Sequence, residues 1–346
     1  MGCCHKPPWT TCARSSTMFT KRRRDDVAPP FDAVLMIAFG GPTKPDEVRP
    51  FLSNVLRGVP VPPGRLEEVA RHYDQLGGRS PITDLTFQQA KSLAALLERE
   101  GPRLPVYVGM RYWHPMTSET VEQMVHDNVK RAVGLIMAPH DSGAASWEKS
   151  VGTVTDALIA AGPRAPHVDF AQPCYNHPDF IAAVAEQIRL QLQETPPDLR
   201  SPLKACGDRR STWLLFTAHS IPTSMAASSP YVQQLHESCR LVAAALGHPD
   251  WSLAYQSRSG DPRQPWLTPD VSDVLRKLKA EGCRSVVLAP IGFVCDNVEV
   301  LFDLDVEAKA EADVLGLDLK RANAVNDHPL YIRALADLVR RRVNQS

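Results

Sequence analysis

Short apolar runs alternate with longer amphipathic stretches along most of this chain. The β-prone runs are 33–39, 105–109, 133–138, 212–217, 252–255, 285–291 and 319–322. Between them, apolar residues recur near the helical period over about 46–57, 65–76, 85–99, 118–131, 149–160, 178–192, 230–246, 270–280, 299–314 and 329–342. In the fourth of these, Val121, Met124, Val125 and Val129 share one helical face and Ser118 is placed to cap the start. Strand and helix alternating at this spacing predict βαβ units and parallel sheets covered on both faces. The fold class expected is α/β, with two Rossmann-like parallel-sheet domains and a cleft between them.

Residues 1–30 have no periodicity and end in Lys21-Arg22-Arg23-Arg24, so they are expected to be a disordered leader. Residues 31–195 then form a first α/β domain, the Pro-containing stretch 196–211 a linker, and 212–342 a second α/β domain whose last helix packs back on the first. A faint repeat supports two similar halves. Ala138-Pro139 recurs as Ala289-Pro290, Glu148 as Glu299, and His177-Pro178 as His328-Pro329, always 151 residues apart. Open α/β sheets bind ligands beyond the carboxyl ends of their strands, so the site is expected in the cleft.

Composition removes several function classes. The 346 residues carry 39 Lys and Arg against 39 Asp and Glu, so no net field draws nucleic acid. No apolar run reaches the roughly 18 residues of a membrane span, and no signal peptide opens the chain, which predicts a cytoplasmic protein. The 8 cysteines include no C-x-x-C pair, so neither an iron–sulfur cluster nor a structural zinc site is expected. The glycine fingerprints of nucleotide binding are missing, and no nucleotide is expected. No long apolar surface helix stands out, which favours a monomer over a dimer.

Chemistry-bearing residues gather where strands end. The run 213–216 leads straight to His219, whose imidazole exchanges protons near neutral pH and can ligate a metal. A second strand ends at Pro290, followed by Gly292, Phe293 and Glu299; Gly292 permits close backbone approach. Glu299, Asp303, Glu307 and Glu311 follow at steps of four; Glu307 and Glu311 read as a solvated face, while at Glu299 and Asp303, beside the strand-end loop, a cation would relieve the repulsion. Beyond a third strand come Arg111, Tyr112 and Trp113, a cationic fork beside flat aromatic area that suits a flat anionic ligand. Ser142 is expected to line the cleft, His177 to be structural, and Arg258 to meet a ligand carboxylate or form a salt bridge.

Taken in order, these motifs resemble the ferrochelatase family of haem synthesis. The most specific are Phe216-Thr217-Ala218-His219-Ser220-Ile221-Pro222 and the run from Phe293 through Asp305, joined by Gly40-Gly41-Pro42, Gly77-Gly78-Arg79-Ser80-Pro81-Ile82, Gly109-Met110-Arg111-Tyr112 and 251–260. The resemblance implies a chelatase-type pair of domains that inserts ferrous iron into protoporphyrin IX or coproporphyrin III and releases two protons. It implies His219, Glu299 and Asp303 as catalytic, with His219 and Glu299 meeting the metal. Phe39, Arg111, Tyr112, Ser142, Arg258, Gly292 and Phe293 would surround the porphyrin. Arg111 and Arg258 would pair with propionates, while Phe39, which has no oxygen, would pack on the ring. Other enzymes of the haem pathway are the implied protein partners. A cobalt or nickel chelatase and a non-catalytic porphyrin carrier are the alternative readings. The chain departs from the family's habit at Asn297, where a histidine is usual, at Asp141, where an aromatic is frequent, and in lacking a strongly apolar lip across 51–63.

Overall fold

A computed structural model describes residues 31–58, 64–194, 212–258 and 263–345. The expected leader and linker lie outside these residues. In chain order the first half holds β1 (Ala33–Ala38), α1 (Val48–Val55), α2 (Arg65–Gln75), α3 (Ile82–Glu100), β2 (Val106–Met110), α4 (Thr117–His126), β3 (Arg131–Ile136), α5 (Trp147–Ala161), β4 (His167–Phe170) and α6 (Pro178–Glu194). The second holds β5 (Thr212–His219), α7 (Thr223–Ala227), α8 (Tyr231–Leu246), β6 (Trp251–Gln256), α9 (Val271–Ala280) and β7 (Ser285–Ala289). It continues with α10 (Val298–Val300), a π-helical segment (Leu301–Ala308), α11 (Lys309–Leu315), β8 (Asp318–Arg321) and α12 (Pro329–Asn344).

Each half builds a four-stranded parallel sheet, in the orders β2-β1-β3-β4 and β6-β5-β7-β8. The two orders superpose when β1 is matched to β5, so the 151-residue repeat is a repeat of topology. His177 and His328, one pair of that repeat, both turn a ring nitrogen onto the first free N–H groups of the helices they precede, α6 and α12.

Alternation within the strands sorts side chains between layers. In β1 all six residues are buried. Val34, Met36 and Ala38 face a core that runs continuously between the two sheets, and Ala33, Leu35 and Ile37 face a smaller one under α4 and α5. In β7, Val287 and Ala289 join the shared core, while Val286 and Leu288 face an outer core under α9 and α11. The halves also trade helices. The first half's α6 packs on α8, β7 and β8, and the second half's α12 packs on α3 and β3 as well as on α6. Polar ties reinforce the exchange: Arg333 pairs with Asp179 at 2.6 Å, Arg342 with Asp169 at 2.6 Å and Arg340 with Glu100 at 3.2 Å.

Several elements differ from the sequence pattern. The strand expected over 285–291 stops at Ala289, because Pro290 cannot extend the ladder. The helix expected to reach 131 ends at His126, where Asn128 adopts a left-handed conformation (φ 63°) and Val129 drops back to bond Met124. Edge strand β4 and the five-residue α7 are additions to the expected elements. Among the described residues no helix is long and apolar enough to cross a membrane.

Candidate active site

Two strand-end loops bring the central pair together. His219 closes β5, and Glu299 opens the helix that follows β7. Gly292 lies between β7 and that helix, and its N–H donates to the Thr217 carbonyl (3.1 Å). A Cβ on Gly292 would sit 2.8 Å from Ala218 Cα. The absent side chain therefore lets the loop after β7 press against the end of β5. His219 Nε2 then stands 3.7 Å from Glu299 Oε1, with 32% and 51% of the two side chains open to solvent.

The imidazole is fixed from behind. Its Nδ1 donates to the Ser220 carbonyl, which can only accept, so in the neutral ring Nε2 carries the free lone pair toward Glu299. The Tyr231 hydroxyl holds the same turn by donating to the His219 carbonyl (3.1 Å). Burial is the largest single influence on His219 and works against its charge. The Glu299 carboxylate, the Ser220 carbonyl and Asp303 together outweigh it and raise the imidazole to about 9. Burial also pushes Glu299 upward, but the imidazolium and Arg65 overcome it and leave the carboxyl below its ordinary value.

Asp303 stands in a different environment. Ser257 donates a short hydrogen bond to its Oδ2, and Gln256 Nε2 donates to the same oxygen (3.2 Å). Ser257 reaches it from a left-handed conformation (φ 59°), uncommon for a residue with a side chain. Burial, with the Glu299 charge behind it, outweighs these two donors and raises Asp303 to about 7. Asn297 begins the helix as its cap: Oδ1 accepts from the Val300 N–H (3.2 Å) and Nδ2 donates to the Cys295 carbonyl (3.2 Å).

The first half supplies an aromatic and cationic wall. Phe39, 39% exposed, follows β1 and packs against Tyr112 (ring centroids 4.6 Å apart) and Phe51 (6.2 Å). Arg111, only 7% exposed, lies over the Tyr112 ring, donates to the Tyr112 hydroxyl (2.6 Å) and to Ser146 Oγ (3.1 Å). None of the ion pairs among the described residues gives Arg111 a carboxylate. This wall meets the acidic helix directly. Phe51 and Tyr73 share one apolar cluster with Val298, and His72 of α2 stacks on Phe302 with centroids 3.8 Å apart.

The remaining residues expected from the sequence fall nearby in different settings. Ser142 is buried in the loop after β3, beside the turn where Gly143 abuts Ser229. Arg258 is exposed and follows Ser257 directly. Phe293 packs partly against the outer core of the second half. Among the described residues no three His, Cys, Asp or Glu side chains converge as a ready metal site. Sequence reasoning marked the stretch with Gln256 and Ser257 as a shaped loop without giving either a role, and missed Tyr231, Tyr73 and His72 as site neighbours. One signal for the helix was present: buried Val300, Leu304, Ala308 and Ala312 repeat at steps of four, as do the acids. An α-helix drifts about 40° per such step, whereas a π-helical turn takes up the drift.

Known proteins resemble this chain over nearly all the described residues. The ferrochelatase family model matches residues 31–343. The ferrochelatase of Rhodopirellula baltica is 42% identical over 320 residues, covering 92% of this chain and 88% of that protein. The coproporphyrin III ferrochelatase of Nocardia farcinica is 40% identical, covering 90% and 88%. Among solved structures, SirB from Bacillus subtilis with Fe3+ matches in fold at a TM-score of 0.55 and 10% identity, over 90% of this chain and 96% of that one. A match of this extent, on a chain that brings a histidine and a glutamate together at the ends of two strands, makes the protein a member of the ferrochelatase family, an enzyme that inserts metal into a tetrapyrrole.

Proposed function

We propose that His219, Glu299 and Asp303 carry the insertion of ferrous iron into a porphyrin held between the halves, in the cytoplasm. The reaction removes two pyrrole protons as iron enters. At neutral pH the resting pair is imidazolium and carboxylate. A divalent cation arriving beside Glu299 opposes the imidazolium charge, so Nε2 first releases its proton to solvent and can then accept one from a pyrrole nitrogen. Asp303, raised to about 7 by burial and the Glu299 charge, is the next carboxyl along the helix and can take up a proton there. The protein need not complete a coordination sphere, because the ring supplies four nitrogens.

Around that centre, Phe39 and Tyr112 offer packing area to the ring, with Ser142, Gly292 and Phe293 as further lining. Arg111 and Arg258 are proposed partners of the propionates. A buried guanidinium given no carboxylate by the protein has most to gain from one on the substrate.

The observation that carries this reading is the 3.7 Å approach of His219 Nε2 to Glu299 Oε1, with the tautomer fixed by Ser220. Anaerobic iron insertion by His219→Ala tests it. Turnover is expected to fall about 100- to 10,000-fold with the folded state retained. Near-normal turnover would reject the assignment. The Nocardia relative supports running the assay with coproporphyrin III beside protoporphyrin IX, and substituting cobalt or nickel for iron defines the metal.

A further inference from the structure

The helix that carries Glu299 and Asp303 is tethered on its other side by a buried cation. Arg321, the last residue of β8, has a side chain only 13% exposed. Its Nη1 donates to Asp296 Oδ1 (2.9 Å), while Nε and Nη2 donate to the two oxygens of Asp305 (2.5 and 3.0 Å). Asp296 precedes Glu299 by three residues, and Asp305 follows Asp303 by two. Arg321 therefore grips the working stretch just before its start and just after its end.

Asp296 is itself fully engaged. It accepts from the Ala324 N–H (3.2 Å) and from Asn326 Nδ2 (2.9 Å), and its own N–H donates to Asn326 Oδ1 (2.9 Å). Gln89, reaching across from α3, donates to the carbonyls of Val294 (3.1 Å) and Asn326 (2.8 Å). The anchor at this end is thus rigid and is braced by the first half.

Sheet order shows what the grip does. β6 and β8 are the two edges of the second sheet. Asp303 is held at the end of β6 by Gln256 and Ser257, and Asp305 at the end of β8 by Arg321. Residues two apart on a helix point to nearly opposite sides. Two tethers on opposite sides prevent the segment from turning about its axis, and a bidentate fork tolerates little slip along it.

We propose that Arg321 is a positioning residue: by bridging Asp296 and Asp305 it fixes the rotation and register of the π-helical segment, and so aims Glu299 and Asp303. The inference rests on those carboxylates working as proposed above. The test compares Asp305→Asn and Arg321→Gln with the unmodified enzyme for kcat and for porphyrin Kd by fluorescence quenching. In Asp305→Asn, kcat is expected to fall roughly 10- to 100-fold, with porphyrin Kd within about twofold. Arg321→Gln, where it folds, follows the same pattern. The half-exposed Asp305 keeps the test open if it does not. Unchanged kcat overturns the proposal whatever happens to stability, and so does a loss of kcat that tracks a loss of porphyrin binding. Glu299→Gln, run alongside, separates the two readings. Retained turnover there overturns the site assignment and the clamp with it. Lost turnover there with normal turnover in Asp305→Asn overturns the clamp alone.

Discussion

The Glu299 charge raises both His219 and Asp303, while burial, the larger influence on each, works against the charged imidazolium and for the neutral carboxyl. Glu299 keeps His219 charged, while the same charge helps keep Asp303 neutral. Removing the Glu299 charge should lower both values, because a cation loses its partner and an acid loses its repulsion. An NMR titration of the His219 imidazole is expected to show a midpoint near 9 in the unmodified protein. In Glu299→Gln the midpoint should fall, since only the Ser220 carbonyl and Asp303 are then left to oppose burial. An unmoved midpoint would mean that other groups hold the charge. His219 and Glu299 were legible in the sequence because each follows an apolar run that ends at a proline or glycine break. Ser257 and Gln256 were marked only as part of a loop, and Tyr231 was not marked at all. Their roles exist only once three loops meet, and the left-handed turn at Ser257 leaves no mark in its residue type.

Among the elements, the loop after β7 does most to set the site, and Gly292 is its constraint. Any side chain there meets the Ala218 backbone, which cannot rotate away as a side-chain tip could. Gly292→Ala is expected to cost about 1–3 kcal/mol of stability in denaturant melts. It should also lower kcat more than it raises porphyrin KM, because the displaced loop carries Glu299 away from His219. The central strands were readable from their continuous apolar runs, and the helices from their period. Edge strand β4 was not readable: its His167 and Asp169 interrupt the apolar run and it pairs on one side only. The π-helical segment was half legible. Its four-residue repeat lay in the sequence, but the widened turn that the repeat requires was not inferred from it.

At the scale of the molecule, the 151-residue repeat foretold two sheets of one topology and left open how they join. They join by exchanging terminal helices across a single core. Fragments 31–195 and 212–346, produced separately, are each expected to expose the seat of a missing helix. They should aggregate or remain unfolded alone, and recover structure by circular dichroism when mixed. Independent folding of either fragment would show that the exchange is dispensable.

The exchange also governs how a macrocycle enters. Parting the sheets would unseat α6 and α12 together and open the core they share, so the spacing between the halves behaves as a fixed gauge. By contrast, among the described residues α1 and α2 meet the acidic helix through the His72–Phe302 stack and the packing around Val298. Moving α1 and α2 would therefore disturb fewer packed residues than spreading the two halves.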